Sequence, residues 1–109
     1  MKMFPILIAT AGLMAASIAN AAPNADAAQA VLKKSDCLKC HAIDKKKDGP
    51  PFKETAKKYK GKADAEEKLI KHLTSKPMIE IDGKKEEHKA LKSTDKAEIS
   101  NVAQWILSL

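Results

Sequence analysis

Two thiols and an imidazole stand together at Cys37-Leu38-Lys39-Cys40-His41. Thiols three residues apart can reach the two vinyl groups on one side of a porphyrin, and the imidazole of the next residue then lies under the iron. The spacing assigns Cys37 and Cys40 to thioether bonds with one covalent haem (haem c), and His41 to the proximal iron position. Two rival chemistries also use paired cysteines. A redox C-x-x-C wants a preceding strand in a βαβ setting, and none is legible before Cys37. A structural zinc site wants a second ligand pair, and the chain has no further cysteine.

The elements that must position this motif read as helices joined by loops. Asn24 or Asp26 can cap a first helix through Ala27, Ala28, Ala30, Val31 and Leu32, ending near Ser35. Pro50-Pro51 precede a second, with Phe52, Ala56 and Tyr59 at helical spacing and Gly61 as its stop. Asp64 opens a third, carrying Ala65, Leu69 and Leu73 on one stripe, with Pro77 just past its end. Asp82-Gly83 is a turn dipeptide followed by a charged segment. The last helix starts at Thr94 or Asp95, where Asp95 and Glu98 have capping-box spacing, and buries Ile99, Val102, Ile106 and Leu109 beside Trp105. Met78-Ile79-Glu80-Ile81 is the one strand candidate, too short to count. The expected class is all-α with long loops, and such loops need something to pack against.

The chain has 109 residues, room for one small domain. Its start is of another kind: Lys2, an apolar run over residues 4–18, then the small-x-small pattern Ala19-Asn20-Ala21. That is the pattern of a secretory signal peptide, short for a span of about 20 apolar residues. The expected division is a leader at 1–21 and a domain at 22–109, lying beyond the inner membrane in the periplasm with no stable membrane insertion once the leader is cleaved. Removal of Lys2 leaves 19 lysines against 14 acids, a net charge of +5. There is no arginine and little aromatic surface, which argues against nucleic acid. A domain this small with a thin core needs a staple, and a disulfide between Cys37 and Cys40 would close too small a loop to serve.

With these residues in view, the sequence resembles the short-chain bacterial class I cytochromes c over nearly the whole domain. Cys37 to His41 with Asp44, the loop from Lys45 to Gly49-Pro50-Pro51-Phe52, the helical segments around Ala56-Tyr59 and Ala63-Leu69, and the stretches at Ser93-Asp95 and Trp105-Leu109 carry the likeness. The resemblance implies the class I fold, with terminal helices crossing and the haem in a cleft. It also implies that the Pro50 carbonyl accepts a hydrogen bond from His41 Nδ1, which orients the ring.

The sixth ligand is where the sequence departs from that family, whose loop ends in Pro-Met-Pro-Pro. Here only Pro77-Met78 is present. The family's ligand falls about 17 residues after the position of Leu69 and about 16 before that of Trp105. Met78 stands 9 after and 27 before, whereas His88 stands 19 after and 17 before. His88 is therefore the expected distal ligand, with Met78 the alternative. His72 is expected to be a surface or packing residue. A second imidazole in place of a thioether favours ferric iron and lowers the potential.

The leading expectation is a one-electron carrier serving redox partner proteins as a monomer, and no enzyme is expected because nothing besides the single haem motif looks catalytic. Lys39 and Lys45 to Lys47 lie near the motif and suit partners with acidic surfaces. The alternative is a haem protein that binds nitric oxide or carbon monoxide at an iron whose distal ligand detaches.

Overall fold

The computed structural model describes residues 22–109, together with Gly12; the expected leader at 1–21 otherwise lies outside the described residues. Four helices and a small hairpin follow in order: α1 (Ala25–Lys34), α2 (Phe52–Tyr59), α3 (Ala65–Thr74), β1 (Met78–Ile81), β2 (Lys84–Glu87) and α4 (Lys96–Leu107). A single 3₁₀ turn, Cys37–Lys39, lies between α1 and α2. The expected all-α class holds, with the hairpin as its addition.

α4 is the central element, packing against α1, α2 and α3. It brings Val102, Ala103, Trp105 and Ile106 to a core completed by Ala28, Val31 and Leu32 of α1, Phe52 of α2, Leu69 and Leu73 of α3, and Leu91. Polar ties fix how these helices meet. The side chain of Asn101 accepts from the Asn24 amide at 2.8 Å and donates to the Asn24 carbonyl at 2.9 Å, fastening the start of α1 to α4. Ser100 Oγ donates to Glu66 at 2.6 Å and does the same for α3.

The helix ends follow the sequence closely. Asn24 caps α1 by accepting from the Ala27 amide at 2.9 Å. Asp95 Oδ1 accepts from the amides of Ala97 and Glu98, at 2.8 and 3.2 Å. The return half of the expected box is relayed: Ser93 Oγ donates to Glu98 at 2.6 Å and accepts from the Asp95 amide at 3.3 Å. Asp64 makes no cap bond to α3 and instead pairs with Lys68 at 3.2 Å.

The reading that no strand of useful length exists is corrected here. Met78–Ile81 pairs antiparallel with Lys84–Glu87, setting Glu80 opposite Lys85 and Met78 opposite Glu87. The cause is the turn. Asp82 and Gly83 both adopt positive φ, 50° and 79°, the two-residue geometry whose twist matches paired strands. An Asp-Gly turn and one opposite-charge cross-strand pair suffice to register a strand as polar as Lys84–Glu87.

Candidate haem-binding site

α1 ends at Ser35, and Asp36 takes the left-handed conformation (φ 61°) that terminates such helices. This reversal leads directly into the 3₁₀ turn bearing Cys37 and Cys40. Both thiols are free and half-buried. Burial pushes the Cys37 thiol up from its ordinary value, and the neighbouring Asp36 carboxylate adds to the effect. The His41 amide donates to the Cys37 carbonyl at 3.0 Å and the Gly49 amide to the Cys40 carbonyl at 2.8 Å, so the motif and the following loop are one hydrogen-bonded unit.

His41 is held on three sides. Its Nδ1 lies 2.8 Å from the Pro50 carbonyl, which as an acceptor requires the proton on that nitrogen and leaves Nε2 with a free lone pair. Phe52, the first residue of α2, stacks on the ring at 5.3 Å between centroids, and Trp105 meets Phe52 edge-on at 6.0 Å. Gly49 covers a further side so closely that a Cβ there would lie 2.4 Å from His41 Cε1.

His88 follows β2 directly. Its amide donates to the Pro77 carbonyl at 2.8 Å, closing the hairpin at its base. The His88 ring lies 6.1 Å from that of His41 and 4.6 Å from that of His72, centroid to centroid. Its Nδ1 is buried without a hydrogen-bond partner. Burial chiefly, and then the nearness of His72 and His41, hold the His88 pKa below its ordinary value. His72, although exposed over much of its surface, is lowered in the same way, first by desolvation and then by Lys58 and His41. Neutral imidazole is the form that binds metals.

Met78 stands differently. It lies on β1 opposite Glu87 with 65% of its surface exposed. Two of the lysines near the motif are engaged within the chain: Lys47 Nζ donates to the Leu38 carbonyl at 2.7 Å, and Lys39 pairs with Asp36 at 3.5 Å. Three features here have no signal in the sequence. Gly49 against the His41 ring, Ser35 as a polar buried residue, and His72 against His88 are all set by tertiary approach and have no local signature.

The residues present fit a haem iron. Two opposed imidazoles on one metal put their ring centroids roughly 6 Å apart, from metal–nitrogen bonds of about 2.0 Å plus the ring radii. His41 and His88 stand at that separation, and Nδ1 of the half-buried His88 ring has no hydrogen-bond partner.

Comparison with known proteins points to the cytochromes c. The family model for cytochrome c matches residues 25–109. Cytochrome c-552 of Hydrogenobacter thermophilus is 32% identical over 117 aligned positions, covering 100% of this chain and 99% of the relative. Cytochrome c-551 of Pseudomonas aeruginosa is 40% identical over 45 residues, 41% of this chain and 43% of the relative. Among solved structures, the class 1 cytochrome MtoD from Sideroxydans lithotrophicus ES-1 superposes with a TM-score of 0.77 at 47% identity, covering 80% of this chain and 97% of that one. Wild-type cytochrome c552 of Nitrosomonas europaea gives 0.58 at 26% identity, over 73% of this chain and 96% of that one. The chain thus belongs to the cytochrome c family, as a short monohaem class I member whose cofactor is one covalent c-type haem and whose chemistry is that of a haem-based electron carrier.

Proposed function

We propose that this cytochrome is a periplasmic one-electron carrier with bis-histidine ligation and a potential below that of methionine-ligated relatives. Cys37 and Cys40 hold the haem through thioether bonds, His41 is the proximal ligand and His88 the distal one. The haem supplies the Fe(III)/Fe(II) couple. The observation that carries the reading is the 6.1 Å separation of the His41 and His88 rings.

The chain's own residues keep the site constant through the redox cycle. Pro50 accepts the Nδ1 proton of His41, which makes the ring a more basic ligand, while Gly49 and Phe52 limit its rotation. His88 is carried on backbone tied to Pro77. Two neutral imidazoles stabilise ferric iron more than one imidazole and a thioether do. A tied distal histidine also favours the carrier over a nitric oxide or carbon monoxide sensor, which needs a ligand that leaves readily.

A leader at 1–21 and a domain at 22–109 complete the proposal, and no helix among the described residues is long and apolar enough to cross a membrane. Sequencing the N-terminus of the protein recovered from periplasm checks the division; a start upstream of residue 19 contradicts it. Lys45 and Lys46, exposed beside the motif, are the cations offered to an acidic redox partner.

His88→Ala tests the ligand assignment. The expected variant loses the ferric low-spin spectrum and binds carbon monoxide rapidly when reduced. An unchanged low-spin spectrum and potential would remove His88 from the iron.

A further inference from the structure

The segment that follows His88 is fastened to the segment that precedes Cys37. Ser35 is 1% exposed, and its Oγ accepts a hydrogen bond from the Lys92 amide at 2.9 Å. Lys92 Nζ also lies 3.7 Å from Asp36, and Lys89 Nζ lies 3.9 Å from the same carboxylate. Between them, the Leu91 amide donates to the Leu73 carbonyl at 2.9 Å, and the Leu91 side chain enters the core.

We infer that Ser35 is a positioning residue for the distal ligand, clasping the His88-bearing segment to the haem-attachment motif. The inference rests on His88 being the ligand. Three amides anchor the backbone from 88 to 92, each on a different element: Pro77 before β1, Leu73 on α3, and Ser35 at the end of α1. Of these, the Ser35 bond alone joins the distal segment to the proximal motif, two residues from Cys37. A buried hydroxyl committed to an amide is costly to lose, because its removal leaves the Lys92 amide without the acceptor it has here. The ion pairs of Asp36 lie in solvent and add a smaller, salt-sensitive contribution.

The alternative is that Ser35 is only a satisfied polar residue within the core. The two roles separate in the haem-loaded, reduced protein by amide hydrogen exchange. Ser35→Ala removes the acceptor of Lys92 alone and leaves those of His88 and Leu91 in place. If Ser35 positions the segment, exchange at His88 and Leu91 nevertheless speeds roughly five- to tenfold, and saturating carbon monoxide displaces the distal ligand faster by a similar factor. Asn101→Ala breaks bonds of the same kind between α4 and Asn24 and is expected to leave both readouts within about twofold.

Acceleration confined to Lys92, acceleration spread equally to α4 amides, or an unchanged response to carbon monoxide would each overturn the inference. Should Ser35→Ala fail to fold, the unaltered protein decides. His88, Leu91 and Lys92 are then expected to exchange as one cooperative unit with a common denaturant dependence, and independent exchange of Lys92 would overturn the clasp. His88→Ala in the same series keeps the two claims apart. If its spectrum and carbon monoxide response match the parent, the ligand assignment fails whatever Ser35 does to the amides.

Discussion

Gly49 lies against the His41 ring so tightly that a Cβ at this position would sit 2.4 Å from Cε1 and 2.7 Å from Nδ1. No side chain fits there without moving the imidazole away from the Pro50 carbonyl. Gly49→Ala is expected to destabilise the haem-loaded protein by about 2 kcal/mol, as overpacking does. Denaturant unfolding measures this, and a cost below about 0.5 kcal/mol would show that the ring yields freely.

Phe52 transmits the core to the site. It is 5% exposed, stacks on His41 and meets Trp105 edge-on. Phe52→Ala opens a cavity between α2, α4 and His41, with an expected loss of about 3–5 kcal/mol. Phe52→Leu keeps most of the volume and should cost less than half as much. Equal losses in thermal unfolding would mean that the aromatic stack, not the filled volume, is what matters.

Gly83 has φ of 79° and nothing within 4 Å of where its Cβ would lie. Gly83→Ala therefore isolates backbone strain from crowding, with an expected cost of about 1 kcal/mol. Because the turn closes the hairpin that delivers His88, hydrogen exchange at the His88 amide is expected to speed as well. A change in global stability with no change at that amide would dissociate the hairpin from the placement of His88.

Asp36 adds a pH dependence. Lys39, through charge and a hydrogen bond, and then Lys92 hold its carboxyl below the ordinary value of 3.8. A depressed folded value contributes stability that is fully present above 3.8 and fades as pH falls through the lower folded value. Asp36→Asn tolerates the same left-handed backbone but lacks that charge. Its stability should fall below the parent's at neutral pH and converge with it in strong acid. High salt should narrow the neutral gap, since all three pairs are exposed.

The helices were legible because their signals are local. Asn24, Asp95, Pro50-Pro51 and Gly61 mark ends, and the stripes of Leu69 with Leu73 and of Val102 with Ile106 mark buried faces. Cys37, Cys40 and His41 could be singled out because one short spacing carries the chemistry proposed for them. The hairpin was not, because Lys84–Glu87 has none of the β-branched or aromatic character of a strand and owes its pairing to the Asp82-Gly83 turn. His88, the proposed distal ligand, could be singled out only by counting from two anchors. Its partners Pro77, His72 and, through Lys92, Ser35 come together through packing between segments up to 57 residues apart.

The most direct measurement is the ferric spectrum of the haem-loaded protein, taken optically and by low-temperature paramagnetic resonance. Ligation by His41 and His88 predicts a low-spin signal with no methionine–iron charge-transfer band. The presence of that band would place Met78 on the iron, contradict the 6.1 Å pairing of the two imidazoles as the ligand set, and raise the expected potential to that of methionine-ligated relatives.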